Sequence, residues 1–238
     1  MAGHSQFANI KHRKGAQDAK KAKIFTKLLR EVTVAAKSGN PDIEFNARLR
    51  NAVIAARGAN MPKDRIEAAI KKVASGIDNE NFEEIRYEGY GPFGVAVVVE
   101  ALTDNRNRTA SEVRSIFTKA GGSLGETNSV SFMFDKIGLI EFEGKVAGEE
   151  QMFEIALDAG ASEVESVNDW HVVVTEVSDF AAVRDKLIAK FGDPQSAKIT
   201  WRAKTFSTLN DEQLQAIEKM VDALEDCDDV QQVIANYN

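Results

Sequence analysis

The sequence predicts an α+β protein of three domains: an N-terminal helical domain, then two α/β domains with ferredoxin-like βαββαβ character, the last inserted into the middle one. Three observations carry this reading. Up to residue 75 the apolar residues recur at helical spacing; beyond it short β-branched runs alternate with helical patterns. The third is that the C-terminal helix and strand have no sheet of their own and must return to an earlier one. The expected boundaries are 1–75, 76–135 with 204–238, and 136–203. At 238 residues the chain is too long for one small domain and suits two or three, each burying its own core.

Gln17 to Ser38 reads as a long amphipathic helix, with Phe25, Leu28, Leu29, Val32 and Ala36 on one side and the stop signal Ser38-Gly39-Asn40-Pro41 behind it. Asn46 to Ala59 forms the next, with Leu49, Val53 and Ala56 inward. A third starts after Pro62, a favoured first helical residue, with Ile66, Ala69, Ile70 and Val73 as its stripe. Ile77 to Glu84 is a polar connector. The apolar run from Val95 to Leu102 has the length of a strand buried on both faces. Thr109 to Ala120 reads as a helix opened by a capping box of Thr109 and Glu112 and stopped by Gly121-Gly122, and Ser129 to Phe134 as a strand. Then come strand Leu139 to Phe142, helix Glu149 to Ala159, strand Glu163 to Val167, strand Trp170 to Thr175, helix Asp179 to Phe191 and strand Ala197 to Trp201, which is the split βαβ order. Helix Asp211 to Glu225 and strand Val230 to Tyr237 end the chain.

Charge divides the molecule. Residues 1 to 75 hold 16 basic and 6 acidic residues, net +10; the remainder holds 14 and 31, net −17, and the overall −7 conceals the split. From Lys11 to Arg30 the chain has 8 basic residues and one acid, Asp18. Such a stretch attracts a polyanion, and the acidic remainder limits indiscriminate binding. At about 100° per residue, Lys20, Lys23, Lys27 and Arg30 fall on the helix side opposite Phe25, Leu28 and Val32. Met1 to about Ala16 is read as an arm that orders on its partner. The candidate nucleic-acid contacts are therefore His4, Phe7, Asn9, Lys11, His12, Arg13, Lys14, Lys20, Lys23, Lys27 and Arg30.

Gly89-Tyr-Gly-Pro-Phe-Gly94 matches Gly-x-Gly-x-x-Gly, but it precedes a strand rather than opening a helix and contains Pro92, so it reads as a turn and no nucleotide cofactor is expected. Thr103-Asp-Asn-Arg-Asn-Arg-Thr109 links a strand to a helix N-terminus. Arg106 and Arg108 there form a candidate anion site, or the loop merely caps the helix. His4, His12 and His171 lack cysteine partners and ligand spacing, so no metal is expected; His171, after a turn, is placed at a strand edge. The single cysteine, Cys227, excludes an internal disulfide and suits a reducing compartment. No nucleophile elbow, P-loop or His-Glu-x-x-His occurs, and nothing points to an enzyme or a small-molecule substrate. No window has the apolar length of a membrane span, and a cytoplasmic protein is expected.

Met1-Ala-Gly-His-Ser5, Asn9-Ile-Lys-His-Arg-Lys14, Phe25-Thr-Lys-Leu28, Ala59-Asn-Met-Pro-Lys63, Tyr87-Glu-Gly-Tyr-Gly-Pro92, Asn105-Arg-Asn-Arg-Thr109 and Gly121-Gly122 together closely resemble the YebC/PmpR family over the whole chain. The resemblance implies a helical N-terminal domain and two α/β domains, the last inserted into the middle one. Members are described as DNA-binding transcriptional regulators. Relatives act in translation, among them a mitochondrial activator of cytochrome oxidase subunit synthesis and bacterial factors that help ribosomes through proline-rich stretches. The sequence departs from the commoner family form at Gln6 and Phe7, where Lys-Trp is usual; Phe7 retains a ring that can stack on a base.

The expected protein is thus a non-enzymatic cytoplasmic regulator of gene expression that docks its arm and helix face on nucleic acid. The arm lacks a recognition helix of known DNA-binding type, which favours ribosomal RNA and association with the ribosome; DNA-binding transcription regulation is the alternative, and a protein-interaction module working through the acidic domains the third reading.

Overall fold

The computed structural model describes residues 17–78 and 81–237, with side chains from Lys21 onward. It forms two compact units: the chain up to Asp78 with Lys136–Thr200, and Asn79–Asp135 with Trp201–Asn238.

The first unit opens with helices α1 (Gln17–Lys37), α2 (Ala47–Gly58) and α3 (Lys63–Ala74). Their apolar stripes close one core, in which Val32, Ala35, Leu49, Val53, Ala56 and Ile66 are buried. Asn46 sets the corner between α1 and α2. Its side-chain oxygen accepts from Leu49 N at 2.9 Å, capping α2, while its amide donates to Ala35 O at 2.7 Å and Asn40 O at 2.8 Å.

The same unit contains β4 (Phe134–Glu143) from Lys136 onward, α5 (Glu149–Ala159), β5 (Glu163–Val167), β6 (Trp170–Thr175), α6 (Phe180–Phe191) and β7 (Ser196–Ala203) as far as Thr200, with strand order β5-β6-β4-β7. Those two interior strands and edge strands, with both crossovers helical, make the ferredoxin-like arrangement. Ile140, Phe142 and Val173 pack under Met152, Ala156, Val183 and Leu187, and Ile54 of α2 joins this cluster, so the helical part and the inserted part share apolar contacts. His171 lies on the interior strand β6 and is 2 % exposed, not at an edge. Its Nε2 lies 3.2 Å from Gly144 O and 3.0 Å from Ala147 O and its Nδ1 2.7 Å from Ser166 Oγ, so the ring ties the β4–α5 turn to the sheet. Carbonyl oxygens only accept; Nε2 is therefore the nitrogen that donates to them.

The second unit holds β1 (Glu83–Tyr90), β2 (Ala96–Thr103), α4 (Arg106–Lys119), β3 (Ser123–Leu124), α7 (Asp211–Glu225) and β8 (Val230–Ala235), in strand order β3-β1-β2-β8. β2 is buried on both faces. Val97 and Val99 meet Val113 and Phe117 of α4 and Ile217 and Val221 of α7, whereas Ala96 and Val98 pack with Val130, Phe134 and Ile234. β8 pairs antiparallel with β2, Val97 opposite Ala235, so the C-terminal helix and strand complete this sheet.

Three local expectations change. The connector expected to run through Glu84 ends earlier, because Glu83–Tyr90 is a strand paired along its length with β2. Its polar sequence is accommodated by an internal network: buried Glu88 accepts from Val130 N at 3.0 Å and Ser131 N at 2.8 Å, and Arg86 Nε lies 2.8 Å from its other oxygen. The Arg86 guanidinium also stands 5.1 Å from the Trp201 ring centroid, and Trp201 Nε1 donates to Glu100 at 2.9 Å. Helix α4 starts one turn before Thr109, capped by Asn105, whose side chain accepts from Arg108 N at 3.1 Å. Ser131–Met133 is a 3-10 turn rather than strand, stopped from extending by its hydrogen bonds to Glu88.

The Gly-x-Gly-x-x-Gly run spans the hairpin from β1 to β2, where Pro92–Gly94 forms a 3-10 turn and Gly94 takes φ 74°. Gly89 serves a different purpose within β1. A Cβ there would collide with Ser123 O and stand 2.8 Å from Phe117 Cε1 and 3.0 Å from Leu124 Cα. Gly89→Ala is expected to cost about 2 kcal/mol through overpacking, read as a lower urea midpoint. An unchanged midpoint would show that β3 yields freely.

Candidate nucleic-acid interface

Helix α1 is fixed by one side and charged on the other. Val32, Ala35 and Ala36 are buried and Phe25, Leu28 and Leu29 partly buried in the helical core. On the other side Lys23 is exposed, while Lys27 and Arg30 are half-buried. Lys21 projects near the core side, its Nζ 6.0 Å from the Phe25 ring centroid. The side chain of Lys20 and the residues His4, Phe7, Asn9, Lys11, His12, Arg13 and Lys14 lie outside the described residues. The structure therefore brings together Lys23, Lys27 and Arg30 of the sequence-derived set.

The remaining cations of the helical part divide by function. On α2, Arg48 grips Glu31 of α1 through two parallel contacts, Nε–Oε1 at 2.8 Å and Nη2–Oε2 at 3.1 Å. Arg50 reaches Asp185 and Arg57 reaches Asp193, each at 3.3 Å, and buried Arg184 of α6 bonds Asn51 and Asp185. The α2 arginines thus face carboxylates of this same unit rather than a polyanion. Their charges enter the +10 sum but not the binding face. The lysines and arginines of α1 and α3 supply the rest of the positive charge.

Arg106 and Arg108 occupy the first turn of α4. Arg108 Nη2 donates to Asp229 at 2.6 Å and to Asp104 at 2.8 Å, and Arg106 Nη1 lies 3.5 Å from Glu83. Buried Asp229 also accepts from Thr103 Oγ1 at 3.0 Å and Thr109 Oγ1 at 2.7 Å. Burial alone would push the Asp229 carboxyl up, but hydrogen bonds from Arg108, Thr109 and Thr103 outweigh it and hold the group below its usual range. An anion approaching this turn meets arginines already facing carboxylates. The sequence had no means of linking Asp229 to Thr103-Asp-Asn-Arg-Asn-Arg-Thr109, because the partners are far apart in the chain.

Residues 5–76 match the N-terminal domain of TACO1/YebC proteins, and residues 82–237 match the TACO1/YebC second and third domain. The chain belongs to the TACO1/YebC family. It is also similar to a conserved hypothetical protein, Aq1575, of Aquifex aeolicus, whose crystal structure superposes with a TM-score of 0.86 at 46% identity, over 96% of this chain and 95% of that one.

Within the TACO1/YebC N-terminal region, α2 has a role that helical periodicity did not disclose. Between it and α6 lies a cleft of about 330 Å³, lined by Ile43, Val53, Ile54 and Ile188 and rimmed by the Arg50–Asp185 and Arg57–Asp193 pairs. Arg50 and Arg57 sit seven residues apart on one face of α2, a spacing legible in the sequence; that the opposing carboxylates come from α6 and the turn after it was not. Among the described residues no helix of this TACO1/YebC chain is long and apolar enough to cross a membrane.

Proposed function

We propose that this protein is a non-enzymatic regulator of gene expression that binds nucleic acid through its N-terminal helical part, with ribosomal RNA as the favoured target. The observation that carries this reading is α1, whose apolar side is locked in a core while Lys23, Lys27 and Arg30 line the other side. Family membership supports it at a coarser level, since the TACO1/YebC family suggests a transcription-regulator-like or translational-activator role. Phosphate attraction by such a face is independent of base sequence, so target choice rests on shape and on the segment before α1.

Sedimentation with ribosomes tests the proposal directly, comparing the full chain with a variant lacking residues 1–14. The full chain is expected in the ribosomal pellet, with the shortened chain at least about tenfold weaker, because the three cations Lys11, Arg13 and Lys14 are removed. If neither form pellets while the full chain shifts a duplex promoter fragment sequence-specifically, DNA-binding transcription regulation replaces the ribosomal reading. No binding to any nucleic acid at low salt would leave the protein-interaction module.

A further inference from the structure

The charged side of α1 does not end at Arg30. Lys37 follows Arg30 by seven residues, as Arg30 follows Lys23, so the three share one side of the helix over about 21 Å, close to the axial rise of six base pairs. At its far end this row meets α3. Lys37 Nζ lies 3.4 Å from Asp78 Oδ2, and Lys72 Nζ of α3 lies 3.6 Å from Asp78 Oδ1. The Asp78 side chain is 1 % exposed, whereas those of Lys37 and Lys72 are 26 % and 49 % exposed. The carboxylate is thus covered, but both ammonium stems reach solvent.

Two cations from different helices converging on two oxygens of one anion is the arrangement a backbone phosphate would take. Resting on the nucleic-acid reading of α1, we infer that Lys37 and Lys72 form the second end of the phosphate-binding surface and that Asp78 is its built-in competitor. In the unbound protein the carboxylate offsets the two lysine charges and holds their side chains together. A phosphate entering from the solvent side draws the same ammonium groups outward, in register with Arg30 and Lys23. A repeating anion suits this row better than a lone acidic side chain, because the cations recur along the helix. Of the acids on α3, Glu67 faces Lys63, with 3.3 Å between Oε1 and Nζ.

The test measures binding of the full chain to an RNA hairpin and to a DNA duplex of matching sequence, by fluorescence anisotropy across a salt series. Asp78→Asn should tighten binding about three- to tenfold near 0.1 M salt and steepen the salt slope by about one. Lys37→Gln with Lys72→Gln should weaken it about tenfold or more and flatten the slope by nearly two. A gain on one nucleic acid alone assigns the surface to that acid. The inference is overturned if the wild type binds and the lysine variant binds equally well, or if Asp78→Asn, with its melting temperature retained, binds more weakly. Should Asp78→Asn melt early, Lys72→Gln alone, which keeps the Lys37–Asp78 contact, decides by the same criterion. Absence of wild-type binding to either acid would instead remove the functional reading on which the inference rests.

Discussion

Replacing Asp229 with alanine should lower the unfolding free energy by about 3 kcal/mol at neutral pH. The side chain gathers hydroxyls of Thr103 and Thr109, both fully buried, and one nitrogen of Arg108. Truncation leaves those hydroxyls short of an acceptor, at about 1 to 3 kcal/mol each, although Thr109 keeps a bond to Thr103 at 2.8 Å and so recovers part of the loss. Arg108 adds little, because half its side chain meets water. The effect depends on pH. Because the folded carboxyl titrates below its unfolded value of about 3.9, its stabilisation is complete above that value and disappears as pH falls through the folded one. Glu88 contributes in the same direction: burial opposes its charge, but the N–H groups of Val130, Ser131 and Asn128 and the charge of Arg86 prevail. Urea unfolding of wild type and Asp229→Asn from pH 7 down to pH 3 should show curves that converge on acidification. A loss below about 1 kcal/mol for alanine at pH 7 would mean that the loop relaxes around the gap.

The second large effect belongs to α1. Lys23→Glu with Lys27→Glu should weaken nucleic-acid binding at least about 50-fold near 0.1 M salt, since two phosphate contacts are lost and two repulsions replace them. Folding should persist, because Val32, Ala35 and Ala36 anchor the opposite side of the helix. Anisotropy titrations paired with thermal melts separate the two properties. Loss of the melting transition would show that half-buried Lys27 holds the helical core, and unchanged affinity would place the interface elsewhere.

Helix positions were legible because burial follows a 3.6-residue period: α5 and α7 begin and end where the apolar pattern does. Strand β1 was obscured by chemistry. Arg86 and Glu88 are charged residues inside a sheet, and their mutual compensation, together with Trp201, arises only after the chain has folded. The Thr109 misreading has a similar origin. A threonine three residues before a glutamate is a valid capping signal, but its hydroxyl is claimed by Asp229, and Asn105 caps the helix instead. For the binding face, the side of α1 was readable from helical spacing alone. Which cations the fold occupies was not, since the carboxylates facing Arg50 and Arg57 lie in α6 and just beyond it.

The pairing of β8 with β2 has a consequence for biosynthesis. As the chain emerges, β1 and β2 exist long before their sheet can close, and the Val97–Val99 edge stays unpaired until Val233–Ala235 has left the ribosome. The inserted part can complete its own strand set in the meantime, which places the slowest, longest-range step last. A chain cut short before β8 would carry an open, valine-rich edge, the kind of surface that chaperones and proteases recognise. Pairing of β8 with β2 is therefore the step that puts that edge out of their reach.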